Sequence, residues 1–199
     1  MVKLRFVEPV SRVRFSLVTP SSKFVYSGYT FRMNTLYFLI GASGAGKTTA
    51  AKALEKQNIP NLVICHFDSI GVPTPEEMER DFGGGENWQR VKTIEWVGKI
   101  KDEFLNEKNV ILDAQTRPSF IKEGCEKHGV ENYKIILFDC SDQVRKQRLI
   151  NRGHSELADD NMMNWAKHLR ERCVEGGHEI IDTSDMTVQE MVSQLVHLL

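Results

Sequence analysis

The sequence predicts an α/β domain built on a parallel sheet with helices on both faces. Three observations lead to that expectation. From Asn34 onward, five short apolar runs alternate with stretches of helical spacing. Those runs are continuously hydrophobic rather than alternating, the pattern of strands buried between two helical layers. The first run, Leu36-Tyr37-Phe38-Leu39-Ile40, also leads directly into Gly41-Ala42-Ser43-Gly44-Ala45-Gly46-Lys47-Thr48, which satisfies GxxxxGK[ST] at every fixed position.

Composition narrows the class. At 199 residues the chain suits one domain carrying small lids. A formal net charge of -1 gives no global signature of nucleic acid or anionic membrane as partner. No apolar run approaches the roughly 18 residues needed to cross a bilayer. The cysteines, Cys65, Cys125, Cys140 and Cys173, form no CxxC pair. Their spacing argues against zinc and for reduced thiols in a cytoplasmic protein.

Residues 1–32 differ from the remainder. Residues 1–33 hold Lys3, Arg5, Arg12, Arg14, Lys23 and Arg32 against the single acid Glu8, and the runs read as short strands or loop rather than amphipathic helix. A basic, acid-poor, Ser-containing segment suits organelle import, but the helical face of such peptides is missing. The favoured reading is an appended segment, with Met33 as natural start and a domain over 33–199.

The elements then follow in order. After the glycine-rich loop, Thr49 to about Gln57 favours helix, and Asn58-Ile59-Pro60 breaks it. Leu62 to Phe67 is the second strand, ending at Asp68-Ser69. Thr74, Pro75 and Glu77 make a capping box for a short helix that Asp81-Phe82-Gly83-Gly84-Gly85 closes as a flexible joint. A helix from about Asn87 to Asn106 places Trp88, Val91, Ile94, Val97, Ile100 and Phe104 on one face. Val110-Ile111-Leu112 is a third strand, with Asp113 at its end. Pro118 to Lys127 reads as helix, and Lys134 to Phe138 as a fourth strand ending at Asp139. Ser141 caps a helix with Arg145, Arg148 and Arg152 that Gly153 ends. A polar loop to about Asn161, a helix to Cys173, a fifth strand at Glu179 to Thr183 and a final helix capped by Thr187 and Glu190 complete the chain. Right-handed crossovers put the strand carboxyl ends on one rim, where such sheets bind ligands.

The chemistry of that rim is phosphate chemistry. Loop glycines let backbone N–H groups turn inward around a polyphosphate, and the following helix N-terminus adds favourable partial charge. Lys47 reaches the outer phosphates, and is expected to face solvent in the empty loop. Thr48 and Asp113 are expected to hold Mg²⁺, although a strand-ending Asp also caps turns. Asp68 suits a base or positioning group for an acceptor hydroxyl, or again a turn cap. Arg148 and Arg152, four apart, share a helical face and can approach the same phosphates, where the plain alternative is a solvated basic face.

On the motifs GASGAGKTT, HFDS, VILDAQTR, RKQRLINRG and EIIDTSDMTVQEMV, the chain from Met33 to Leu199 resembles the P-loop small-molecule kinases. These are relatives of adenylate, gluconate and shikimate kinases, along with ATP-binding proteins labelled AAA. The resemblance implies a three-layer P-loop NTPase fold, sheet order 2-3-1-4-5, a small lid at about 151–162, and ATP with Mg²⁺ as cofactors. It implies nucleotide contacts from Gly41 through Thr48 and Thr49, acceptor contacts from Asp68, Gln115 and Arg117, and Arg148 and Arg152 on the transferring phosphate. The Asp182-Thr183-Ser184 turn would approach the adenine.

The expected activity is transfer of the ATP γ-phosphoryl to a small-molecule hydroxyl or a nucleoside monophosphate. Arg80, Arg90 and Arg117 would favour an anionic acceptor if they face the cleft, whereas a lone Asp68 suits a hydroxylated one. Two other readings stand beside it: an ATP-dependent regulatory switch, and a nucleic-acid end kinase, which the near-neutral charge disfavours. Acceptor identity and oligomeric state are not legible in the sequence.

Overall fold

A computed structural model describes Lys23–Tyr26, Tyr29–Arg32 and residues 34–199. The chain divides at Met33/Asn34 into two units, each taken by itself. In the first, β1 (Lys23–Tyr26) and β2 (Tyr29–Arg32) form an antiparallel hairpin with Lys23 opposite Arg32. The expected appended or sorting segment covers residues 1–32, of which 1–22 and 27–28, like the Met33 start, lie outside the described residues.

The second unit holds the sheet. Its strands are β3 (Leu36–Ile40), β4 (Leu62–His66), β5 (Asn109–Asp113), β6 (Tyr133–Asp139) and β7 (Glu179–Asp182), all parallel in the order β4-β5-β3-β6-β7. Counted along the sheet strands alone, this is 2-3-1-4-5, as the resemblance implied. The helices are α1 (Lys47–Glu55), α2 (Pro75–Phe82), α3 (Gly85–Glu103), α4 (Pro118–His128), α5 (Asp142–Asn151), α6 (Asp160–Glu175) and α7 (Val188–Leu198).

Strand alternation sorts the core into two layers. Leu36, Phe38 and Ile40 of β3 pack with Trp96, Val97 and Ile100 of α3, Ile121 and Cys125 of α4, and Leu169 and Cys173 of α6. Tyr37 and Leu39 point the other way, onto Ala50, Ala51 and Leu54 of α1 and Met191, Val192 and Leu195 of α7. Every β3 residue is buried, as a central strand covered on both faces requires. Among the described residues all four cysteines are free and buried, and no helix is long and apolar enough to cross a membrane.

Three of the departures from the expected boundaries have a local reason. The second strand stops at His66, and Phe67–Ile70 coil into a 3-10 turn, so Asp68 sits on that turn rather than on the strand. Left-handed Gly83 donates its N–H to Glu79 O at 3.0 Å, the αL close of α2, and Gly84 donates to Met78 O at 3.0 Å. Helix α3 therefore starts at Gly85, two residues before the expected Asn87, and the joint is Gly83-Gly84 alone. The polar lid loop holds a short 3-10 turn, Ser155–Leu157, and Asp159 caps α6 by accepting the Met162 N–H at 2.9 Å.

Candidate active site

The loop between β3 and α1 is shaped by glycines where no other residue fits. Gly41 has φ +150°, and a Cβ there would lie 2.2 Å from the Phe138 carbonyl oxygen on β6. Gly46 is left-handed at φ 90° and forms the N-cap of α1. The loop thus lies tight over the sheet edge and ends at a helix N-terminus, an arrangement that favours anions.

Lys47 is only 8% exposed, contrary to the solvent-facing expectation. Its Nζ lies 3.4 Å from the Ala42 carbonyl, a long bond for a buried ammonium. Burial lowers its pKa, with Asp113 and then Asp68 opposing. A buried cation so thinly bonded is a site prepared for an anion.

A cavity of about 520 Å³ opens beside the loop, lined by Ser43, Gly44, Gly46, Lys47, Thr48, Asp68, Asp113, Gln115 and Arg152 among others. Parallel pairing brings two strand ends together there. His66 on β4 is registered with Asp113 on β5, and its Nδ1 lies 3.1 Å from Asp113 Oδ2. Asp113 itself is 6% exposed. Ser43 Oγ donates to Gln115 Oε1 at 3.1 Å, linking the loop to the segment after β5. Asp68 is exposed at the mouth, with no side-chain hydrogen bond among the described residues. Although the residue reaches solvent, neighbouring protein partly desolvates its carboxylate, and this together with the Asp113 charge raises its pKa, with Lys47 and His66 opposing.

The remaining expected site residues divide. Arg152 reaches the cavity and donates to Thr49 Oγ1 at 3.2 Å, so Thr49 meets the lid arginine but is not in the cavity wall. Ala42 and Ala45 are buried loop residues whose backbones carry the contacts. Arg148 is not in the cavity wall. It donates to Gly44 O at 3.3 Å, Thr183 Oγ1 at 3.0 Å and Thr183 O at 2.6 Å. Thr183 is fully buried and donates to the loop at Ala45 O, so the expected adenine-side turn is tied to the loop itself. Arg117 is also outside the wall, sandwiched between Phe120 at 5.3 Å and Trp165 at 4.7 Å and bonded to Gln89 and Glu86. Asp139, expected on the open rim, is buried beneath Arg145 and Arg170.

Sequence reasoning passed over His66. Its signal was available: with strands 2 and 3 adjacent, the ends HFD and ILD lie side by side, which brings His66 to Asp113.

Among the described residues no group of three or more His, Cys, Asp or Glu side chains is placed to hold a metal. The oxygen donors Thr48 and Asp113 nevertheless fit Mg²⁺, which keeps most of its waters and takes one or two protein oxygens beside substrate phosphates.

No family model matches the chain. The ribose 1,5-bisphosphate phosphokinase PhnN of Pectobacterium parmentieri (strain WPP163) is 27% identical over 134 residues, which span 61% of this chain and 70% of that protein. Among solved structures, a sugar kinase from Janibacter sp. HTCC2649 is similar with TM-score 0.58 and 18% identity over 82% of this chain and 93% of that one. A deoxyadenosine kinase from M. mycoides is similar with TM-score 0.54 and 14% identity over 82% and 97%. The shikimate kinase of Acinetobacter baumannii gives TM-score 0.51 and 16% identity over 83% and 92%. This chain has the P-loop kinase fold and resembles the small-molecule kinases.

Proposed function

We propose that the protein is an ATP- and Mg²⁺-dependent phosphotransferase acting on a hydroxyl of a small molecule. The observation that carries the reading is the single cavity in which Lys47, Thr48, Asp113, Asp68 and Arg152 converge. It joins a polyphosphate cradle to a carboxylate with a raised pKa.

The loop N–H groups and Lys47 hold the phosphates and neutralise their charge. Thr48 and Asp113 would hold a Mg²⁺ ion, which would supply further neutralisation of phosphoryl charge. Arg152 approaches from the lid side and stabilises charge in transfer. Asp68 takes the proton of the acceptor hydroxyl as its oxygen bonds to the γ-phosphorus and ADP leaves. Catalysis is then chiefly positioning and charge stabilisation.

The absence of Arg80, Arg90 and Arg117 from the cavity wall favours a hydroxylated acceptor over a nucleoside monophosphate. Arg80 is paired with Asp81, Arg90 with Glu123 and Arg117 with Glu86, and none lies in the cavity wall. The PhnN relative by its name phosphorylates a sugar bisphosphate, so phosphorylated sugars belong in the test panel.

The test is ADP formation from Mg²⁺–ATP across sugars, polyols, nucleosides, their monophosphates and sugar phosphates, with ATP binding measured in parallel. An acceptor that accelerates ADP release and gains phosphate is the expected result. Binding of ATP without acceleration by any acceptor would sink the transferase reading.

A further inference from the structure

The outward face of the phosphate loop is held at three consecutive carbonyls. Arg145 Nη1 donates to Ser43 O at 3.0 Å, Arg148 Nη1 donates to Gly44 O at 3.3 Å, and Thr183 Oγ1 lies 2.9 Å from Ala45 O, sharing its one proton between that carbonyl and Asp139 O at 2.9 Å. No peptide bond here is cis. In a planar trans peptide the C=O and the following N–H point in opposite directions. Holding the Ser43 and Ala45 carbonyls outward therefore turns the Gly44 and Gly46 N–H groups inward, toward the position of the phosphates.

Arg145 is the most committed of the three donors. It is fully buried. Its other arm donates to Asp139 Oδ1 at 2.6 Å and Cys140 O at 3.2 Å. Asp139 ends β6 and also receives Arg170 of α6. One carboxylate thus receives an arginine from each of α5 and α6, the helices on either side of the lid loop, and the α5 arginine carries that anchor to the back of the phosphate loop. A Cβ on Gly44 would lie 3.0 Å from Arg145 Cγ, so loop and arginine are in direct contact.

Stability alone is a poor reason for this pair. A buried ion pair is often no better than apolar side chains of the same volume, and Arg145 Nε is buried with no hydrogen-bond partner. Retaining an arginine with an unpaired N–H makes sense where its fork geometry is needed, because only a planar guanidinium spans Asp139 and Ser43 O together.

We propose that Arg145, oriented by Asp139, is a positioning residue for the phosphate loop. It fixes the Ser43 peptide in the orientation that binds the nucleotide, without touching nucleotide itself. The inference rests on reading the loop as the ATP site.

The test is calorimetric titration of Mg²⁺–ATP into the full chain, with melting temperature recorded for each variant. Arg145→Lys keeps the charge but loses the fork. The double variant Asp139→Leu/Arg145→Met replaces the buried pair with apolar volume, and the half-exposed Arg170, which also loses its carboxylate, can turn to solvent. Both are expected to melt cooperatively and to bind ATP at least ~10-fold more weakly, the loss expected for one charge-assisted hydrogen bond. Their KM for ATP should rise by the same factor, with kcat at saturating ATP and acceptor KM changing less than ~3-fold. Unchanged ATP affinity in either folded variant would overturn the proposal and leave Arg145 a purely structural residue. If the double variant does not fold, Arg145→Lys decides alone. Failure of the wild-type chain to bind ATP would instead sink the underlying nucleotide-site reading, and this inference with it.

Discussion

On the donor side of the cavity, three successive loop carbonyls are gripped from behind by Arg145, Arg148 and Thr183, and Lys47 is buried beneath. On the acceptor side, Asp68 and Ser69 stand exposed on a four-residue 3-10 turn. Ile70, at the end of that turn, and Val72 beyond it are 44% and 56% exposed before α2 begins. One half is set before any ligand arrives. The other has few bonds to break and can be shaped by what it binds. A common donor and a variable acceptor call for this division, since preorganisation is useful only where the ligand is fixed.

The largest expected break in that comparison is Lys47→Ala. Loss of a preorganised charge at the transferring phosphate should lower kcat by about 10³-fold, measured as ADP formation. The fold should survive, though not because the side chain faces solvent. A buried ammonium with a single 3.4 Å bond is a burden on the empty protein, so the melting temperature should hold or rise. A drop of many degrees would show that Lys47 is a structural strut.

Next is Asp68→Asn, expected to cost about 10²-fold in kcat with ATP affinity unchanged. The pH profile carries the sign. Burial and the Asp113 charge raise the Asp68 pKa, so the carboxylate is present at high pH and is protonated as pH falls through a value above the ordinary carboxylate range. Activity of the wild type should fall over that window, and the variant should lack this acidic limb. An identical limb in both proteins would return Asp68 to the turn cap it also resembles.

The two halves were also unequally legible in the sequence. The donor half follows from a contiguous motif, because strand, glycine loop and helix are fixed by neighbours in the chain. The acids after two strands were legible from the apolar runs that precede them, and the sheet order came only with the family resemblance. What escaped were pairings across long sequence separation: His66 with Asp113, Ser43 with Gln115, and Asp139 with Arg145 and Arg170. A helical face of arginines looks the same whether it meets phosphate, solvent or a buried carboxylate. Burial of Arg145 and the turn of Arg148 toward Thr183 depend on how α5 docks against β6 and the loop, which no local pattern encodes.

Arg148→Ala separates the two roles open to this arginine. If it braces the loop and the Thr183 turn, ATP affinity should fall about tenfold, with smaller effects on kcat at saturating ATP and on acceptor KM. If it swings to the transferring phosphate, kcat should fall by about 10²-fold or more while ATP affinity changes little. Initial rates over a grid of ATP and acceptor concentrations distinguish the outcomes.

The smallest expected effects lie on the acceptor side, and their smallness is informative. Arg80 and Asp81 form an exposed pair between chain neighbours, and Arg90 meets Glu123 at the surface. Exposed pairs of this kind contribute little to a fold and are easily exchanged. Arg80→Ala and Arg90→Ala should each leave the melting temperature unchanged. With an uncharged hydroxylated acceptor, acceptor KM should also change by less than about twofold, since neither guanidinium touches it. With a phosphorylated acceptor, either arginine would leave its weak partner for the stronger charge of a phosphate. Removing the recruited arginine would then raise acceptor KM about tenfold or more, in proportion to the charge-assisted bonds lost. The pair of variants thus reads acceptor charge directly, with the donor half as an internal control because its ATP affinity is independent of both.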